Sequence, residues 1–293
     1  MRLGLIGLGA MGRPMGLRLL GAGHSLAVFA RRAEAAEALV AAGASLRGSP
    51  AEVAAASEIV FTIVTADADV TEIALGERGL VAGAAPGTVV VDMSTVAPGT
   101  ARSIAARLAE GGIDFLDAPV SGGVPAARDG TLAIMVGGEL AVLELIRPVL
   151  EVLGSRIVHV GPNGAGQVAK ACNQMIMVAA IEACAEALAF AAASGVDPAR
   201  VRTALQGGSA GSRVLDVMGE RMVKGDYADG VEARLHHKDF GILMAEAVRL
   251  GVPLPIAGQV AQRLNAVMGQ GWGKRDTACL LRLNALAGGG QSR

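Results

Sequence analysis

A single lysine interrupts a run of small and apolar residues, Gly164-Ala165-Gly166-Gln167-Val168-Ala169-Lys170-Ala171-Cys172-Asn173-Gln174. On a helix, Asn173 and Gln174 share the face of Lys170. Apolar surroundings disfavour an ammonium and draw its pKa toward the range useful to an acid–base group. When hydride reaches an aldehyde carbon, the carbonyl oxygen gains negative charge. A nearby ammonium can supply the proton and stabilise that charge. The same residues also fit a lysine whose stem packs and whose head reaches water.

Two more polar clusters have chemistry to offer. Asp117-Ala118-Pro119-Val120-Ser121-Gly122-Gly123 follows a predicted strand, at the kind of edge where parallel sheets bind ligands. The Ser121 hydroxyl and the N–H groups at Gly122 and Gly123 suit a carboxylate, and a plain connecting loop fits equally well. His236-His237-Lys238-Asp239 is the third cluster. Adjacent histidines diverge on a helix and lack further ligands, so no metal site is expected. Lys238 either adds positive charge near a carboxylate or cofactor, or pairs with Asp239 on the surface.

Near the start, Gly7, Gly9 and Gly12 form G-x-G-x-x-G between a predicted strand at 3–6 and a predicted helix at 11–22. Gly7 allows the tight turn, Gly9 lets backbone approach a pyrophosphate, and Gly12 lets the helix lie close to the sheet. The phosphates then sit on free N–H groups at the positive end of the helix. The second strand, 26–29, ends in Ala30, Arg31 and Arg32 rather than the acidic residue that binds a ribose 2′-hydroxyl. Two guanidinium groups suit a 2′-phosphate, so NADPH is expected over NADH, with NAD as the alternative. The competing reading makes both arginines surface charges beside Glu34 and Glu37.

These groups need elements to hold them. Strands are expected at 3–6, 26–29, 59–64, 89–93, 114–117, 133–136 and 157–160, with helices at 11–22 and 33–42. Strand–helix alternation implies parallel pairing and right-handed crossovers. After Gly161-Pro162-Asn163-Gly164 the pattern turns helical: 166–194, 198–206, 237–250, 255–268 and 277–287. Pro198 after Asp197 makes a cap and first turn. The expected fold is α/β: a Rossmann-type doubly wound sheet over 1–162, then an all-α domain over 163–293 for substrate and oligomerisation. The tail 288–293 is expected to fray.

Composition narrows the classes. The formal net charge is −1, which argues against a nucleic-acid surface. Hydrophobic residues make up 52% of the 293 and aromatics 2%, so Ala, Val, Leu, Ile and Met must build the core. Three cysteines, Cys172, Cys184 and Cys279, suit a reducing cytoplasm and are each expected as small buried apolar side chains. The glycine-rich N-terminus followed by Arg13 and Arg18 does not read as a signal peptide. Residues 171–193 are nearly all apolar, yet Asn173, Gln174, Glu182 and Glu186 interrupt them, which favours a buried interface helix over a membrane span. That apolar helix points to a homodimer or homotetramer.

Taken together, Gly7-Leu8-Gly9-Ala10-Met11-Gly12-Arg13-Pro14-Met15, Asp117 to Gly123 with Gly130-Thr131-Leu132, Gly164 to Gln174, and Lys238-Asp239 resemble the β-hydroxyacid dehydrogenase family nearly end to end. The resemblance implies Lys170 as the catalytic acid–base and Ser121, Gly122, Gly123 and Asn173 as substrate-binding residues. It implies Gly7, Gly9, Ala10, Met11, Gly12, Arg31, Arg32 and Val64 around the cofactor, with Thr95 and Lys238 near the nicotinamide. Ala30 replaces a usual Asn, Val64-Thr65 replaces a common Leu-Pro, and Gln174 stands where many relatives have a second Asn. Lys170-Ala171-Cys172-Asn173-Gln174, Gly219-Glu220-Arg221-Met222 and Leu235 to Asp239 look most like the family's tartronate semialdehyde (2-hydroxy-3-oxopropionate) reductases. The expected reaction is NADPH-dependent reduction of that semialdehyde to glycerate. The rivals are oxidation of 3-hydroxyisobutyrate or another β-hydroxy acid, imine reduction (against which Lys170 argues), and a non-catalytic dinucleotide-binding module.

Overall fold

The computed structural model describes residues 1–228 and 230–287. The expected fraying of 288–293 falls outside them. Two compact units divide the chain, Met1–Lys170 and Ala171–Arg293.

The first unit is built on β1 (Arg2–Ile6), β2 (Ser25–Phe29), β3 (Ser45–Leu46), β4 (Ile59–Thr62), β5 (Val89–Asp92), β6 (Asp114–Asp117), β7 (Val120–Ser121), β8 (Leu132–Gly137) and β9 (Gly154–Gly161). Between them run α1 (Gly12–Gly21), α2 (Glu37–Ala41), α3 (Pro50–Ala55), α4 (Asp67–Leu75), α5 (Pro98–Ala109), α6 (Gly123–Asp129) and α7 (Leu140–Leu153). Strand order is β3-β2-β1-β4-β5-β6-β8, with both β7 and β9 pairing to β8. From β3 to β6 every pairing is parallel, and the order reverses between β1 and β4, the topological switch point of a Rossmann sheet.

Both faces of this sheet are covered. Leu3, Leu5, Val89 and Val91 join Met15 and Leu19 of α1 in one core. Ile6, Val60 and Val90 join Val53, Val70, Ile104 and Leu108 in the other. Period-two alternation with apolar residues on both sides is what a doubly covered parallel sheet requires.

The sequence expectation named neither α3 to α7 nor β3 and β7, and three further features differ from it. Strand β8 runs antiparallel to β6 and to β7, because the chain turns back from β7 through α6 over residues 122–131, too short a link for a parallel crossover. The helix expected at 33–42 is a 3₁₀ turn, Ala33–Ala36, followed by α2. Sequence patterning assigns no helix to 213–224, yet an amphipathic one forms there, capped by the Ser212 side chain and stopped by Gly225 at φ 66°.

The second unit takes up helix α8 (Ala165–Ala193) from Ala171 onward, with α9 (Pro198–Gln206), α10 (Arg213–Lys224), α11 (Ala233–Leu250), α12 (Pro255–Gly269) and α13 (Leu280–Ala287). Its cores gather Ile181, Ala185, Leu188, Met222 and Leu280 in one cluster, and Val178, Phe240, Val260 and Leu264 in another. By length and composition α8 could cross a membrane. Its buried stripe nonetheless carries Gln167, Lys170, Gln174 and Glu182, and Glu182 accepts from Arg263 Nε at 2.6 Å. Polar groups with protein partners on a buried face mark a core helix.

The opposite stripe corrects the cysteine expectation. Cys172 lies between exposed Val168 and Ile176 at helical spacing and is itself exposed. Cys184 is half-buried, and Cys279 alone of the three is buried.

Candidate active site

The nucleotide loop follows from glycine geometry. Gly7 leaves β1 at φ 100°, a left-handed conformation in which a Cβ would strike the Ile63 carbonyl. A Cβ on Gly12 would strike the Gly7 carbonyl, so only glycine lets α1 start this close to the strand. Nothing lies within 4 Å of a Cβ placed on Gly9, which leaves open space over that backbone. Ala10 is exposed, and Met11 holds the N-cap position of α1 without a side-chain cap. Pro14 has no N–H and the Arg13 N–H already donates to the Gly9 carbonyl at 3.1 Å, so it is the N–H groups from Ala10 to Gly12 that this cradle could offer a dinucleotide diphosphate. Arg31 and Arg32 are exposed just past β2; Arg31 pairs at 3.2 Å with Asp69, not with the glutamates near it in sequence.

The carboxyl ends of β4, β5 and β6 are laced together. Asp92 is fully buried and accepts from Thr62 Oγ1 at 2.7 Å and from Ser94 Oγ at 2.6 Å. Ser94 Oγ in turn accepts from the Val64 N–H at 2.9 Å. Val64 is therefore held by one small network, and Thr95, half-buried like it, follows Ser94 in the chain. Burial pushes the Asp92 carboxyl up to about 6, against the two hydroxyl donors, and its Oδ2 has no partner.

Asp117, at the end of β6, caps α8. Its oxygens accept from the N–H of Gly164 at 2.7 Å and of Gln167 at 3.0 Å. Burial raises its pKa, while these backbone donors pull the other way. Gly166 must be glycine, since a Cβ would run into the Met135 and Asp117 carbonyls. One turn into the helix, Lys170 is buried at 8% exposure and Nζ donates to the Val120 carbonyl at 2.7 Å. Ser121 follows, half-buried, and then Gly122 and Gly123 at φ 131° and 67°, where side chains would be strained. The first unit thus brings Lys170 against the strand that leads into the Ser121–Gly123 turn.

In the second unit, Asn173 Nδ2 donates to Gln174 Oε1 at 2.9 Å, and Gln174 Nε2 donates to Asp239 Oδ2 at 2.5 Å. Lys238 Nζ sits 3.0 Å from Asp239 Oδ1, so the ion-pair reading of that lysine has a geometric basis. His236 Nδ1 meets Thr277 Oγ1 and His237 Nε2 meets Asn265 Oδ1, in separate directions. Sequence reasoning gave no role to Asp92, Ser94, Asp117 or Gln167. Their partners are mostly tens of residues away in the chain, and the one available signal was an aspartate at or next to the end of each of two successive predicted strands.

Known proteins are similar to this chain in sequence and fold. Residues 2–161 match the NAD-binding domain of 6-phosphogluconate dehydrogenase. Residues 164–284 match the NAD-binding domain of NADP-dependent 3-hydroxyisobutyrate dehydrogenase. The 2-hydroxy-3-oxopropionate reductase of Escherichia coli is 42% identical over 96% of each chain. The chain belongs to the β-hydroxyacid dehydrogenase family. Other members are also similar. The NAD-dependent L-serine dehydrogenase of Pseudomonas aeruginosa is 37% identical over 96% of this chain and 97% of its own. A solved 3-hydroxyisobutyrate dehydrogenase of Mycobacterium tuberculosis with L-serine superposes at TM-score 0.89, with 30% identity over 97% of this chain and 99% of that one. As a β-hydroxyacid dehydrogenase the chain is an oxidoreductase acting on a CH–OH group, with a nicotinamide dinucleotide as cofactor.

Proposed function

We propose that this dehydrogenase uses NADPH to reduce 2-hydroxy-3-oxopropionate to glycerate. The observation that carries the reading is the buried Lys170 Nζ, fixed 2.7 Å from the Val120 carbonyl and next in space to the Ser121 strand. The cofactor, when bound, supplies hydride to the aldehyde carbon. Lys170 donates the proton to the carbonyl oxygen that becomes the hydroxyl, and the amine left behind is reprotonated from solvent. Ser121 and the N–H groups of Gly122 and Gly123 hold the substrate carboxylate, and Asn173 orients the substrate. Gly7, Gly9, Ala10, Met11 and Gly12 cradle the diphosphate, while Arg31 and Arg32 take the 2′-phosphate. Val64, Thr95 and Lys238 line the rest of the cofactor site. Domain limits of 1–162 and 163–293 belong to the same reading.

The identity to the Escherichia coli reductase supports the choice of substrate, and the NADP-dependent description of the second matched domain supports the cofactor. The test is a screen for NADPH consumption over short semialdehydes, run beside the reverse assay with glycerate, 3-hydroxyisobutyrate and L-serine. Fastest turnover per unit KM on 2-hydroxy-3-oxopropionate is expected. Preference for serine or 3-hydroxyisobutyrate with NAD would overturn the reading.

A further inference from the structure

We propose that Gln167 is a positioning residue that sets the spacing between the Ser94–Val96 segment and Lys170. Its side chain is 2% exposed and spent wholly on that segment. Oε1 accepts from the Val96 N–H at 3.1 Å, and Nε2 donates to the Ser94 carbonyl at 2.9 Å. The two bonds fall on either side of Thr95, so the amide grips the backbone at both ends of that residue. Gln167 is itself fixed, because its own N–H donates to Asp117 Oδ2. Lys170 lies three residues further along the same helix, a rise of about 4.5 Å.

The clamp therefore joins three things rigidly: the loop after β5, the end of β6 and the turn of α8 that presents the amine. The loop is also pinned from below by Asp92 through Ser94 and from the side by Val64. A buried amide that satisfies one donor and one acceptor of a loop holds it in a single register, as a strand partner would. Displacements of about 1 Å in a hydride-transfer site cost on the order of a hundredfold in rate. The inference rests on the reading of Lys170 as the proton donor beside the nicotinamide.

The test compares Gln167→Met, which loses both bonds, with Gln167→Glu, which keeps the acceptor and sets a carboxylate against the Ser94 carbonyl. For each, kcat, KM and the isotope effect with C4-deuterated NADPH are measured. Affinities for NADPH and for 2′-phospho-ADP-ribose, which lacks the nicotinamide, are measured by calorimetry. Expected are a kcat lower by about ten- to a hundredfold, a larger isotope effect, and unchanged affinity for the fragment. Gln167→Glu should recover part of its kcat as pH falls, since the protonated carboxyl donates to Ser94 again. Should Gln167→Met fail to fold, Gln167→Glu decides by its pH profile. Wild-type kcat and isotope effect in the variants overturn the proposal, as does equal loss of fragment and NADPH binding. Lys170→Ala, assayed alongside, separates the two ideas: if it stays active the proton-donor reading fails, whereas inert Gln167 substitutions beside a dead Lys170→Ala refute only the clamp.

Discussion

Lys170 Nζ donates to the carbonyl oxygen of Val120 at 2.7 Å, and the residue after Val120 is Ser121. The amine is thereby tethered to the strand that leads into the proposed carboxylate grip. Removing it should abolish proton transfer without touching the distant phosphate cradle. Lys170→Ala is expected to lower kcat by on the order of 10²- to 10⁴-fold, with NADPH affinity unchanged by fluorescence titration. Turnover close to wild type would rule out its role.

On the proposed reading, Arg31 and Arg32 select the cofactor. Charge-assisted bonds to a phosphate are worth about 1.5–3 kcal/mol, so Arg31→Ala with Arg32→Ala should raise KM for NADPH by at least roughly tenfold and leave KM for NADH nearly unaltered. The Arg31–Asp69 pair is exposed and itself contributes little, so Asp69→Ala should be mild and should, if anything, favour NADPH. Equal changes for the two cofactors would mean that the arginines do not read the 2′-phosphate.

Gly12 allows no side chain. Gly12→Ala would drive a methyl into the Gly7 carbonyl, lifting α1 from the sheet. Overpacking of this kind costs about 1–3 kcal/mol. Thermal unfolding should drop by several degrees, and the dinucleotide should bind more weakly. Gly9→Ala, which meets no protein atom, should leave the melting point alone yet weaken cofactor binding.

Asp92 gives a pH signature. Its folded-state pKa is about 6 against 3.8 for an ordinary aspartate, mainly because burial disfavours the anion. A folded state that holds its proton more tightly loses stability as pH rises from about 4 to about 6, after which the loss levels off. The magnitude is about 3 kcal/mol. In Asp92→Asn the Oδ1 acceptor survives and the titration vanishes. Denaturant unfolding across this range should show the variant gaining on the wild type with pH; parallel curves would refute the assignment.

Exposed Ile176 and Phe190 on α8 lead us to expect a homodimer or homotetramer, as their apolar stripe has no cover among the described residues. Light scattering should give a mass at least twice that of the chain. A strictly monomeric species would be the contrary result.

Local chemistry determined much of this protein before any coordinates. Spacing alone located the Gly7–Gly12 turn, since only glycine tolerates the backbone there, and it placed the long helix to within a residue at each end. Short apolar runs alternating with helical stretches pointed to the doubly wound sheet, because parallel strands are buried on both faces and need helical crossovers. The amphipathic helix at Arg213–Lys224 carried its own cap at Ser212 and was legible in principle. What the tertiary structure decided is the support beneath the site. Asp117 caps a helix that begins 48 residues later, Gln167 clamps a loop more than 70 residues earlier, and Asp92 is buried beside Thr62. Such bonds depend on which strand ends the sheet order makes neighbours. Side-chain type and local spacing do not encode that adjacency, and it exists only once the crossovers have placed β4, β5 and β6 side by side.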